Sequence, residues 1–179
     1  MVDNSASISL SRDMTVSIRP TSEADTATIL DLIRDLADYE KLANEVTATA
    51  EDLRASLFGI RPDAEVVIAE CDGDVAGYAL FFHNYSTFHG KRGLYLEDLF
   101  VRSAFRGLGI GKRLLSHLAT LAVQRGCARL EWSVLDWNES AIRFYRSLGA
   151  EPMTGWTVFR MTGAALARLA RASREPHLP

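Results

Sequence analysis

Residues 106–112, Arg-Gly-Leu-Gly-Ile-Gly-Lys, set three alternate glycines between two basic side chains. Glycines at this spacing let the backbone turn tightly and bring its N–H groups close to a bound group. The residues that follow read as a helix, whose first turn offers unpaired N–H groups and the positive end of its dipole. Arg102, Arg106, Lys112 and Arg113 add positive charge around that point. A phosphate or pyrophosphate suits such a loop. The P-loop pattern fails, because Arg106 stands at its first glycine and Arg113 follows Lys112 where Ser or Thr would bind magnesium. The dinucleotide pattern also fails, since Lys112 occupies its last glycine position. The plainer alternative is an ordinary glycine-rich turn between a strand and a helix.

A pair of carboxylates, Glu97 and Asp98, precedes this loop within the apolar run 94–101, LYLEDLFV. Alternation along a strand sends the two to opposite faces unless a bulge intervenes. A carboxylate in such surroundings needs a reason. It is either a hydrogen-bonded structural acid, or a base or cation-binding group beside the phosphate site. Tyr39-Glu40, at a helix end, could line a site for a cation, whereas Asp31 and Asp35 read as a solvated acidic face. Tyr145 lies on a helical stripe with Ala141 and Leu148, where a core tyrosine is the simplest reading. The four histidines form no spaced pair with one another or with cysteine, so no metal is expected.

The elements that must position these groups follow from periodicity. Val16 and Ile18 start a short strand ended by Pro20, and Thr21 or Ser22 caps a helix reaching about Tyr39. Thr49 and Asp52 mark a second helix to Phe58, stopped by Gly59. Ala64–Glu70 and Val75–Tyr85 flank an Asp72-Gly73 turn and predict a hairpin. Gly93–Val101 is the next strand, and the helix after the loop runs to Gln124. Ala128–Leu135 is a strand, Asn138 caps a helix over 139–148, Trp156–Met161 is a last strand, and Thr162–Arg171 a last helix. This order predicts one mixed α/β domain over residues 14–172, with a polar tail at 1–13 and a frayed end at 173–179.

A chain of 179 residues is long enough for a proper core. A net charge of -3 argues against a broad nucleic-acid footprint, and no apolar run is long enough to span a membrane. Cys71 and Cys127 are far apart with no C-x-x-C pattern, which fits a reducing, cytoplasmic setting.

The loop resembles the acetyl-CoA pyrophosphate loop of the GNAT superfamily of N-acetyltransferases. LADYE at 36–40, LYLEDLFV at 94–101 and LDWNESAIRFYRSLGA at 135–150 narrow the resemblance to the diamine (spermidine/spermine) acetyltransferase branch. The resemblance implies the acyl-CoA N-acyltransferase fold, a mostly antiparallel central sheet flanked by helices. It implies acetyl-CoA as co-substrate, with Leu99, Phe100 and Val101 along the pantetheine arm. Arg106, Gly107, Leu108, Gly109, Ile110, Gly111 and Lys112 would then lie at the pyrophosphate, and Asn138, Glu139, Ser140 and Ala141 would complete the coenzyme site. It implies Tyr145 as the general acid and Glu97 as the base. Tyr39, Glu40, Glu97, Asp98, Glu131, Trp132 and Ser133 would border a small-molecule amine, in a homodimer with residues of both subunits near the cleft. An alkyl ammonium, with a pKa of about 10, needs a base and prefers negative surroundings, which suits these residue types.

Two positions depart from the pattern. Ser140 stands where proline is usual, and Thr154 stands where mammalian members place an acidic stretch. Thr154 weakens the case for a long polyamine and leaves a shorter diamine or a thialysine-like amino acid as substrate. Two other activities fit the same residues: acetylation of protein lysines or N-termini, and a non-catalytic acetyl-CoA-binding module.

Overall fold

The computed structural model describes residues 14–172. The tail and frayed end expected at 1–13 and 173–179 lie outside them. The chain forms two compact units, one ending at Ser133 and the other beginning at Val134.

The first unit contains β1 (Val16–Pro20), α1 (Thr26–Glu40), α2 (Ala50–Phe58), β2 (Glu65–Cys71), β3 (Asp74–Ser86), β4 (Lys91–Val101), α3 (Ile110–Gln124) and β5 (Leu130–Trp132). Its sheet has the order β1-β2-β3-β4-β5, antiparallel except for the parallel β4–β5 pair. This is the mixed fold expected, a mostly antiparallel sheet flanked by helices.

Local chemistry sets the boundaries. Thr49 accepts from the Asp52 N–H while Asp52 accepts from the Thr49 N–H, so a reciprocal cap starts α2. Asp72 and Gly73 both have positive φ, which lets a two-residue turn join β2 to β3 with matching twist. Arg19 bonds Glu70 on β2 at 2.7 Å and Asp25 in the turn before α1 at 2.8 Å, tying three segments together.

The hairpin strands bury both faces. Ile29, Leu30 and Leu32 of α1 and Leu53 and Leu57 of α2 pack with Val66, Ile68, Tyr78 and Phe100. Alternation turns Val67, Ala79 and Phe81, all buried, to the opposite face. There α3 contributes its buried stripe of Ile110, Leu114, Leu115, Leu118 and Ala122.

Three expectations fail. Asp35 is not part of a merely solvated face: Arg102, 67 residues away in sequence, bonds it at 2.8 Å. Only Leu130–Trp132 of the strand expected at Ala128–Leu135 pairs with β4. The second unit holds α4 (Glu139–Ser147) and α5 (Gly163–Ala172), but Trp156–Met161 forms no strand. A strand needs a ladder partner, and this unit contains no other strand among its described residues. Trp156, Val158 and Phe159 are 73%, 83% and 92% exposed, far above a normal burial for such side chains.

Candidate active site

The ladder between β3 and β4 slips once. Leu80 pairs with Asp98 and Phe81 with Leu96, which leaves Glu97 as a surplus residue on β4. This is the bulge on which the orientation of the two carboxylates depended. Glu97 is exposed at the bulge. Asp98 shares a face with Leu80, Tyr78 and Phe100, the face packed by α1.

Beyond the bulge β4 loses its other neighbour. β5 pairs only with Leu94, Tyr95 and Leu96. Leu99, Phe100 and Val101 therefore have β3 on one side and, among the described residues, no strand on the other. Such an edge offers backbone N–H and C=O groups to an extended ligand. Gly77 sets the position of this edge. A Cβ there would stand 2.3 Å from the Phe100 carbonyl oxygen, so no other residue lets β3 approach so closely.

The glycine loop follows. Gly107 and Gly109 have φ of 81° and 75°, the left-handed region that favours glycine. Gly109 is the N-cap of α3 and brings no side chain to its free donors. The Arg113 N–H bonds the Gly109 carbonyl at 3.0 Å, so the N–H groups of residues 110–112 precede the first helical bond. Three donors that precede the first helical bond and bond no described residue, with Lys112 beside them, fit a diphosphate. A cleft of about 610 Å3 opens next to the loop, between β1 and α3, and includes Leu108, Gly109, Lys112 and Arg113. The side chain of Arg106 turns elsewhere. Its guanidinium lies 4.4 Å over the ring of Tyr39 and 5.7 Å from that of Phe100, and its Nε donates to the Val101 carbonyl.

The end of α1 forms an acidic wall with β4. The Tyr78 hydroxyl donates to Asp98 Oδ2 at 2.9 Å. Burial holds the Asp98 carboxyl above its usual range against the opposing Tyr78 bond, and the Glu97 charge adds to the rise. Glu40 is raised by burial first and then by the charge of Asp98. Glu40, Asp98 and Tyr39 are thus brought together, with Glu97 at the rim.

Further along the same face, Phe82 and Tyr95 stack at 5.2 Å, and the Tyr95 hydroxyl shares a hydrogen bond of 2.9 Å with Ser133. Glu131, opposite Tyr95, accepts from Asn84 Nδ2 at 2.9 Å and pairs with Arg129 Nε at 2.7 Å. Ser133 and Glu131 share this face. Trp132 alternates to the face of Leu96, where α3 packs.

In the second unit, Asn138 caps α4 by accepting from the Ala141 N–H at 3.2 Å and from the Ser140 hydroxyl at 3.0 Å. Glu139 pairs with Arg143 on the surface. Tyr145 is half-buried, its ring 5.3 Å from that of Phe144.

Sequence reasoning missed Tyr78, Asn84 and Arg129, and it counted Arg102 with the charge at the glycine loop, whereas Arg102 bonds Asp35. Tyr78 carried a usable signal, because a tyrosine in a buried apolar strand needs a partner for its hydroxyl. Asn84 and Arg102 carried none, since their partners are distant in sequence, whereas Arg129 pairs with Glu131 only two positions on.

Comparison with known proteins accords with this geometry. The profile of the acetyltransferase (GNAT) family matches residues 29–150. Thialysine N-epsilon-acetyltransferase of Bos taurus is 42% identical over 166 residues, covering 87% of this chain and 97% of that protein. L-ornithine N5-acetyltransferase of Arabidopsis thaliana is 33% identical, over 83% of this chain and 85% of that protein. Among solved structures, an integron cassette protein from the mobile metagenome of V. cholerae superposes with a TM-score of 0.74 at 29% identity, covering 87% of this chain and 98% of its own. The chain belongs to the GNAT family of acetyltransferases, in the branch that includes the thialysine acetyltransferases.

Proposed function

We propose that the protein transfers the acetyl group of acetyl-CoA to a primary amine of a small cationic substrate, a diamine or a thialysine-like amino acid. The reading rests above all on an open strand edge, at 99–101, that ends beside an acidic wall. The backbone of Leu99, Phe100 and Val101 pairs with the pantetheine arm, and the donors from Gly107 to Lys112 hold the diphosphate. Asn138, Glu139, Ser140 and Ala141 complete the coenzyme site. Acetyl-CoA supplies the activated acyl group.

Glu40 and Asp98 attract the ammonium, with Tyr39, Glu131 and Ser133 as further boundaries, while Trp132 lies on the other face of the sheet. Glu97, exposed at the rim, takes the ammonium proton, through water. The freed amine then forms the new C–N bond as the C–S bond breaks, and Tyr145 gives a proton to the departing thiolate. Both substrates are held together, so no covalent enzyme intermediate is needed. The relatives named for thialysine and ornithine acetylation support a small amine over a protein substrate.

We also propose a homodimer. Its support is the exposed apolar run Trp156–Met161, which finds no strand partner within its own unit. The two free thiols, Cys71 and Cys127, suit a reducing cytoplasm. A panel of primary amines, assayed for thiol release from acetyl-CoA, tests the activity. Turnover with small amines is expected, and its absence across the panel would overturn the reading.

A further inference from the structure

The Asp98 face of the sheet does not end at the acidic wall. Leu80, Phe82 and Asn84 follow one another on that face of β3, opposite Asp98, Tyr95 and Gly93 on β4. Glu131 stands beside Tyr95, and the β3 partners of Tyr95 and Asp98, Phe82 and Leu80, are two residues apart, which is about 7 Å along a strand. There a cation and an anion are fixed side by side. Glu131 Oε2 takes both the Arg129 Nε contact, at 2.7 Å, and the Asn84 bond, at 2.9 Å. Its other oxygen accepts from no described residue, and the two η nitrogens of Arg129 donate to none. Both side chains keep about a third of their surface exposed, at 38% for Arg129 and 34% for Glu131.

Gly93 is what allows this placement. A Cβ there would lie 2.2 Å from Asn84 Oδ1 and 3.2 Å from Arg129 Cγ. Asn84 Oδ1 is buried without a partner. Turning the amide over would set that oxygen against the Glu131 carboxylate, so Glu131 holds the amide in its present sense.

A neighbouring fixed cation and anion, each with one side open, match the two charges of an α-amino acid. The Arg129 fork fits an α-carboxylate, and Glu131 fits the α-ammonium. The Phe82–Tyr95 ring pair provides an apolar wall for the methylenes between that head and an amine at the acidic end. A diamine brings only a second cation, which meets a carboxylate already neutralised and a guanidinium that repels it.

We propose that Arg129 and Glu131 are the specificity determinants that receive the head group of a basic α-amino acid, whose side-chain amine is acetylated. This inference rests on the small-amine acetyltransferase reading above.

The test compares lysine, thialysine and ornithine with cadaverine, putrescine and the methyl esters of the same amino acids, using the full chain. Wild type should favour the free amino acids. Arg129→Gln should raise their KM at least about tenfold with kcat within about twofold, and leave diamine KM unchanged or lowered. Methyl esters on wild type should show the same loss, and the ester and Arg129→Gln together should add little more. Equal losses for diamines and amino acids, or none for either, would overturn the inference. If Arg129→Gln fails to fold, the ester series on wild type decides alone. Turnover of diamines without preference for amino acids defeats only this inference, whereas no turnover of any amine defeats the parent reading as well.

Discussion

Tyr78, fully buried, donates its hydroxyl to Asp98 Oδ2 at 2.9 Å, so a carboxylate of the acidic wall is anchored from inside the core. Burial raises both Asp98 and Glu40 above their unfolded values. Ionising them therefore costs the folded state. The stability associated with their protonated forms is present below about pH 4, the unfolded range, and is lost as pH rises through the folded values. Asp98→Asn should be at least as stable as wild type at pH 7, with no such gain at pH 4, while losing activity. Thermal midpoints measured across that interval check the sign. Tyr78→Phe should cost about 1–3 kcal/mol at pH 7, because the buried carboxylate loses its donor.

Asp25 behaves oppositely. The Arg19 guanidinium holds its carboxyl down to about 2, with burial opposing and the Ser22 N–H assisting. Its contribution is present above its unfolded pKa of about 4 and disappears as pH falls toward 2. Arg19 is partly exposed, which reduces the pair to about 1–2 kcal/mol. Asp25→Asn should flatten the acid limb of an unfolding-versus-pH curve in that window and change little above pH 5.

Arg106 lies over Tyr39, so its removal should act on the amine side. Arg106→Ala should lose about 0.5–1 kcal/mol of stability and raise the KM of the amine. Affinity for acetyl-CoA, measured by calorimetry, should fall less than that KM rises. Arg106→Lys should restore little, since a planar stack is what is lost.

Gly77→Ala should be among the most damaging single-methyl additions in the first unit. The new Cβ meets a backbone carbonyl at 2.3 Å, which cannot rotate away. A loss of about 2–4 kcal/mol is expected, read as a lower denaturant midpoint, with activity falling in parallel.

Tyr145→Phe should lower kcat about 100-fold or more while acetyl-CoA affinity holds, if the phenol delivers the proton to the leaving thiolate. Unchanged kcat would remove Tyr145 from that role.

Local signals in the sequence carried most of the fold. The Thr49–Asp52 cap, the Asp72-Gly73 turn, the alternate glycines and the Asn138 cap are each complete within a few residues, and each forms as read. What depended on a distant partner was not legible. Nothing near Glu97 marks it as the surplus residue, because the slip is decided by β3. Arg102 finds Asp35, and Asn84 finds Glu131, across gaps of 67 and 47 residues. The apolar run at 156–161 has the composition of a strand, but composition cannot supply the neighbour that makes one.

Consider what one extra residue does to the parity of β4. Before Glu97 the even-numbered side chains, Leu94 and Leu96, serve as filler beneath α3; after it the even-numbered ones, Asp98 and Phe100, belong to α1. A single strand thus works as two half-strands in opposite phase, one turned to α3 and the other to α1. Deleting position 97 would leave Leu96 opposite Phe81 and Asp98 opposite Leu80, a regular ladder in which every other side chain keeps its present face. A one-residue change elsewhere in the strand would shift one half against its faces, so the bulge is where its length can change by one.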